Sequence, residues 1–144
     1  MRINGAWTQC DDGVIRPLIA GRVATGNGEW VKVEFLVDIG ADRTVFSASI
    51  LEQLDLPQLV PTEEIGGLGG TADSVVIETQ IQLLNETGSW AELRGAFTAV
   101  TDATALDISV LGRDITDLFA AIIDRPGDVV SLINQRHRYE IIQD

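Results

Sequence analysis

The chain has 144 residues, 45% of them hydrophobic, enough apolar sequence for one core and one domain. A formal net charge of −12 repels phosphate backbones and argues against nucleic acid as a partner. The longest apolar runs, such as Leu118 to Ile123, fall far short of a membrane span, and a single cysteine, Cys10, excludes an internal disulfide and a cysteine-based metal site.

Asp11, Asp12 and Gly13 stand where an export signal would need an apolar block, so a soluble, cytoplasmic protein with no membrane partner is expected. The lone histidine, His137, sits between Arg136 and Arg138 and reads as an exposed strand residue. Cys10 reads as a buried structural thiol. Neither a metal nor any other cofactor is expected.

The pattern is mostly β. Val14 to Thr25 reads as a strand, Gly26-Asn27-Gly28-Glu29 as a turn, and Trp30 to Asp38 as a second strand. Val31, Val33 and Phe35 alternate with Lys32 and Glu34; from Phe35 to Val37 both faces are apolar, so the strand ends deep in the protein. Ser47 to Leu54 fits a short helix with Ser47 as N-cap and Pro57 beyond its end. A glycine-rich segment runs from Ile65 to Gly70. Val75 to Leu84 alternates, with Val75, Ile77, Thr79, Ile81 and Leu83 on one face, and Glu92 to Val100 follows as another strand. Ile108 to Leu111 is a short apolar strand, and Asp114 to Ala121 reads as a second helix. Arg125-Pro126-Gly127-Asp128 is a turn joining Ala121–Asp124 to Val129–Ile133, and His137 to Ile142 suggests a last strand. Many short strands with two short helices indicate a small closed or folded-over β structure.

Three segments carry chemistry. The first is Phe35-Leu36-Val37-Asp38-Ile39-Gly40-Ala41-Asp42-Arg43-Thr44-Val45, with an acidic residue at the end of a buried strand, which is costly unless its carboxylate is satisfied. Gly40 lets the backbone turn beneath that carboxylate and offer N–H donors, and the small Ala41 leaves room for a ligand. The second is Gly66-Gly67-Leu68-Gly69-Gly70, a flexible hairpin tip that lacks the Gly-Lys-Ser/Thr of a phosphate loop. The third is Ile108-Ser109-Val110-Leu111-Gly112-Arg113-Asp114, a strand running into a helix. Each alone also fits ordinary turn or helix-start chemistry.

In this order and at this spacing the three segments, with Arg16-Pro17-Leu18 before them, resemble the retroviral-type pepsins, the retropepsin-like aspartic proteases. The resemblance covers roughly Arg16 to Phe119, and the longer remainder looks more like cellular and bacterial members that end in extra strands. It implies a closed, folded β-barrel spanning residues 1–144 as one domain, and a homodimeric aspartic endopeptidase. Each copy would supply one Asp38 to a shared catalytic pair, since there is no second Asp-x-Gly-Ala. Ile39, Gly40 and Ala41 would form the active-site loop. Ala41, Asp42, Gly66, Gly67, Leu68 and Gly69 would hold an extended peptide substrate, the glycine-rich hairpin acting as a flap. Arg113 and Asp42 with Arg16 of the partner subunit would form an ion cluster beside the dimer contact.

One position departs from the family. Its members carry Thr or Ser between the Asp and the Gly, where the hydroxyl bonds across the dimer; here the residue is Ile39. That leaves a second reading open, a catalytically weakened or inactive dimerisation and peptide-binding module. A serine hydrolase built on Ser47, Ser109 or Ser131 with His137 is a third, but it lacks a Gly-x-Ser-x-Gly elbow.

Overall fold

Period-two alternation and turn chemistry place most of the strands. The computed structural model describes residues 1–61, 65–67, 70–134 and 142–144. In chain order the first elements are β1 (Arg2–Asn4), β2 (Ala6–Gln9), β3 (Ile15–Ala24), β4 (Trp30–Val37), β5 (Val45–Phe46) and α1 (Ala48–Leu54). There follow β6 (Ile65–Gly67), β7 (Gly70–Ala72), β8 (Ser74–Leu84), β9 (Trp90–Val100), β10 (Ser109–Leu111), α2 (Arg113–Thr116), β11 (Ala120–Asp124) and β12 (Val129–Ile133).

The main sheet has the order β2-β3-β4-β10-β5-β9-β8, and a further β3–β8 pairing closes six of these strands into a barrel. Closure abolishes the sheet edges at that seam. The seam depends on Gly21, which faces Leu83; a Cβ there would lie 2.7 Å from Leu83 Cδ2 and 2.9 Å from the Gln82 carbonyl oxygen. Beside it, the Arg22 guanidinium is stacked between the rings of Trp30 and Trp90, 4.8 and 4.0 Å from their centroids, and its Nε donates to Gln82 at 2.8 Å.

The core fills the barrel from the inward face of each strand. On β8, Ile77, Ile81 and Leu83 are fully buried while Glu78 is exposed, as the alternation requires. Phe35, Phe46 and Phe97 pack with neighbouring ring centroids 5.9 Å apart. Helix α1 adds Leu51 and Leu54 to this core. Its N-cap is Ser47, whose hydroxyl accepts from the Ile50 N–H. Its last carbonyl is satisfied from outside, where the Gly26 N–H donates to Leu54 O at 2.8 Å.

A separate three-stranded sheet has the order β1-β12-β11. The Arg125–Asp128 turn joins β11 to β12, with Asp128 in the left-handed region and Gly127 N–H donating to Asp124 Oδ1 at 2.9 Å. β12 thus pairs with β1 of its own chain, Arg2 opposite Ile133. The expected strand at His137–Ile142 falls mostly on residues 135–141, outside those described, as does His137 itself. The second helix is shorter than expected: it covers Arg113–Thr116, and Ala120 and Ala121 belong to β11. After Asp117, i→i+3 bonds from Leu118 to Ile115 and from Phe119 to Thr116 tighten the chain and turn it into β11. Cys10 is half-buried rather than buried. Among the described residues no helix is long and apolar enough to cross a membrane.

Candidate active site

The site grows from the threading of β10. This strand lies between β4 and β5, parallel to β4 (Leu111 opposite Val37) and antiparallel to β5 (Val110 opposite Val45). The loop from Asp38 to Thr44 therefore has to cross the end of β10 to pass from β4 to β5. Asp38 is fixed at the start of that loop, its N–H donating to Leu111 O at 3.1 Å. Its carboxylate is half-buried and accepts the Gly40 N–H on Oδ1 at 2.9 Å. The Ala41 N–H returns to Asp38 O at 3.2 Å, closing a tight turn. This is the satisfaction that an acidic group at a strand end requires.

The loop is locked from the other side by the segment after β10. Arg113 N–H donates to Ala41 O at 2.8 Å, and the Arg113 guanidinium pairs with the Asp42 carboxylate. Thr44 is fully buried; its hydroxyl donates to Asp114 Oδ1 at 2.7 Å and accepts the Gly112 N–H at 3.1 Å. Asp114 Oδ1 also accepts the Thr44 N–H at 2.9 Å. Sequence reasoning took Asp114 for a helix-start charge and passed over Thr44. The only sequence signal was an acidic residue directly after Gly-Arg, and its partner lies 70 positions away.

Of the other residues singled out, Ile39 is 62% exposed in the chain. Gly66 and Gly67 lie on β6, paired with β7 as a hairpin, while Leu68 and Gly69 fall outside the described residues. Arg16 is not beside Asp42 of its own chain. It holds Asp12 through two hydrogen bonds of 2.9 and 2.6 Å. That contact keeps the Asp12 carboxyl down at about 2 from an ordinary 3.8. Because the folded value is the depressed one, the contact contributes stability above about pH 4 and loses it as pH falls through about 2. A carbon-13 NMR titration of the Asp12 carboxyl is expected to show a midpoint near 2; a midpoint near 4 would mean the clasp on Arg16 is open in solution.

The serines offered as nucleophiles are all buried and engaged. Ser47 caps α1, Ser109 Oγ accepts the Ser47 N–H at 3.0 Å, and the Ser131 hydroxyl donates to Asn4 at 3.3 Å. Among the described residues no group of three or more His, Cys, Asp or Glu side chains is placed to hold a metal.

No protein-family model and no curated protein matches this chain. Solved structures do. One is a retropepsin-like aspartic protease from Rickettsia conorii, 22% identical with a TM-score of 0.57, the match covering 92% of this chain and 98% of that one. Another is the EIAV protease complexed with the inhibitor HBY-793, 21% identical with a TM-score of 0.54, covering 71% of this chain and 86% of that one. The chain has the retropepsin-like fold. Within that retropepsin-like fold, the loop carrying Asp38 stands at the end of β4, pinned by β10 beneath it and by Arg113 and Asp114 beside it.

Proposed function

We propose that the chain is one retropepsin-like domain acting as an aspartic endopeptidase, with two copies each contributing Asp38 to a single site. The observation that carries this reading is the Asp38 carboxylate, half-buried at a strand end and oriented by the Gly40 N–H within a retropepsin-like barrel. Two such carboxylates held close share one proton, because both cannot ionise easily. One takes a proton from a bound water while the protonated partner donates to the peptide carbonyl. The substrate is an extended peptide, paired with the β6–β7 hairpin as a flap and with the main chain at Ala41 and Asp42. Arg16 uses two of its five N–H groups on Asp12, which leaves donors for Asp42 of the partner subunit beside Arg113.

A second reading, a peptide-binding or dimerisation module without catalysis, is favoured by Ile39. Its side chain projects to solvent and carries no hydroxyl to bond across a two-fold axis. Apolar burial against the second copy's Ile39 would retain the dimer, while the aspartates lose a positioning hydrogen bond. Ile39→Thr is therefore expected to raise kcat by about fivefold, the equivalent of one net hydrogen bond of ~1 kcal/mol, without loss of folding. Equal or lower turnover from an intact dimer would remove this account of position 39.

The deciding experiment is cleavage of a diverse peptide library from pH 3 to 7, run beside Asp38→Asn. Cleavage that vanishes in the variant supports the protease. A folded, dimeric wild-type chain that cleaves nothing at any pH overturns it in favour of the binding module.

A further inference from the structure

Strand β4 is only partly covered on the side of β10. β3 flanks it from Trp30 to Leu36, but β10 pairs only with Phe35–Val37, so from Trp30 to Glu34 that second edge has no partner strand among the described residues. The Asp38 N–H points to β10, so by the two-residue alternation of a strand the backbone groups of Glu34 and Lys32 turn toward the same open edge. A groove of about 840 Å³ lies there, walled by residues 8–12, Ala103 and residues 106–109.

The groove lies along β4 before the candidate catalytic carboxylate, and β10 occupies the edge between the two. Lys32, Glu34, Leu36 and Asp38 share one face of the strand by the same alternation, so Leu36 lies about 7 Å and Lys32 about 20 Å from Asp38 along it. Its charge is net acidic. Asp11, Glu34 and Asp107 face it with Lys32, while Arg16 is already paired with Asp12.

The geometry points to a distal substrate site: the open edge of β4 takes an extended peptide as an added strand, and the acidic walls select a lysine- or arginine-bearing segment away from the bond to be cut. The inference rests on the protease reading for its purpose, but its test does not. The Asp38→Asn chain is titrated, by fluorescence anisotropy at fixed salt, with labelled ten-residue peptides alternating threonine with lysine or threonine with glutamate. The lysine peptide is expected to bind about tenfold more tightly than the glutamate peptide. Glu34→Lys with Asp107→Lys reverses the preference. Glu29→Lys with Glu78→Lys, of the same net charge but outside the groove, keeps it. Loss of preference in both double variants, or binding of neither peptide, overturns the site. If the groove variant fails to fold by circular dichroism, Glu34→Gln with Asp107→Asn decides, with at least about threefold weaker lysine-peptide binding expected and unchanged binding overturning the proposal. Selective binding by a wild-type chain that cleaves nothing would sink the protease reading alone; cleavage indifferent to the groove variants would sink this inference alone.

Discussion

Gly112→Ala is expected to destabilise the fold by about 3 kcal/mol or more, one of the larger effects a single methyl group can have here. The cause is close approach rather than backbone conformation, since Gly112 has an ordinary extended φ of −92°. A Cβ at this position would sit 2.2 Å from the Arg43 carbonyl carbon, 2.3 Å from its oxygen and 2.8 Å from the Thr44 nitrogen. These are main-chain atoms of the site loop and cannot rotate aside as a side chain can. Relief requires the loop to move off the end of β10. That would stretch the Gly112 N–H to Thr44 hydroxyl bond and pull Thr44 from Asp114. Urea unfolding at fixed protein concentration, which matters if copies associate, should show the midpoint fall with the slope unchanged. Thr44→Val gives a gentler check on the same network, costing on the order of 1–3 kcal/mol by leaving the buried Gly112 N–H without an acceptor. A wild-type midpoint for Gly112→Ala would mean that the loop is not held against β10 as described.

The contrast between these residues shows what a sequence can reveal. The long barrel strands were legible because burial on one face imprints a period of two, and Val31 to Val37 and Val75 to Leu83 carry it plainly. The Arg125–Asp128 turn and the Ser47 cap were legible because their chemistry is local. β1, β2 and β5 were not, since each is four residues or fewer and is a strand only because a distant partner makes it one. The end of α2 failed for a related reason: Ile115, Leu118 and Phe119 have helical spacing, but pairing of β11 with β12 claims the chain from Ala120. At the site, Asp38 and Gly40 stood out as a local pattern. The Thr44–Asp114 lock and the groove along β4 did not, because both exist only once β10 has been threaded between β4 and β5.

Asp38→Asn should leave fold and association unchanged while lowering kcat by roughly 10²–10⁴-fold or beyond detection. Asparagine has nearly the same shape, and its amide oxygen can still accept the Gly40 N–H that now meets Asp38 Oδ1 at 2.9 Å. The loop anchors from Asp38 N–H to Leu111 O and from Ala41 N–H to Asp38 O belong to the main chain and survive the change. What is lost is the titratable oxygen. An amide can neither take a proton from water nor share one with a second carboxylate, so both steps of the proposed mechanism fail at once. The wild-type chain should accordingly show a bell-shaped dependence of kcat/KM on pH whose two limbs belong to the pair rather than to either residue. Peptide affinity gives the contrast: an unchanged Kd with abolished cleavage places Asp38 in the chemistry, while cleavage that persists in a folded Asp38→Asn chain would move the general base elsewhere and end the aspartic-protease reading.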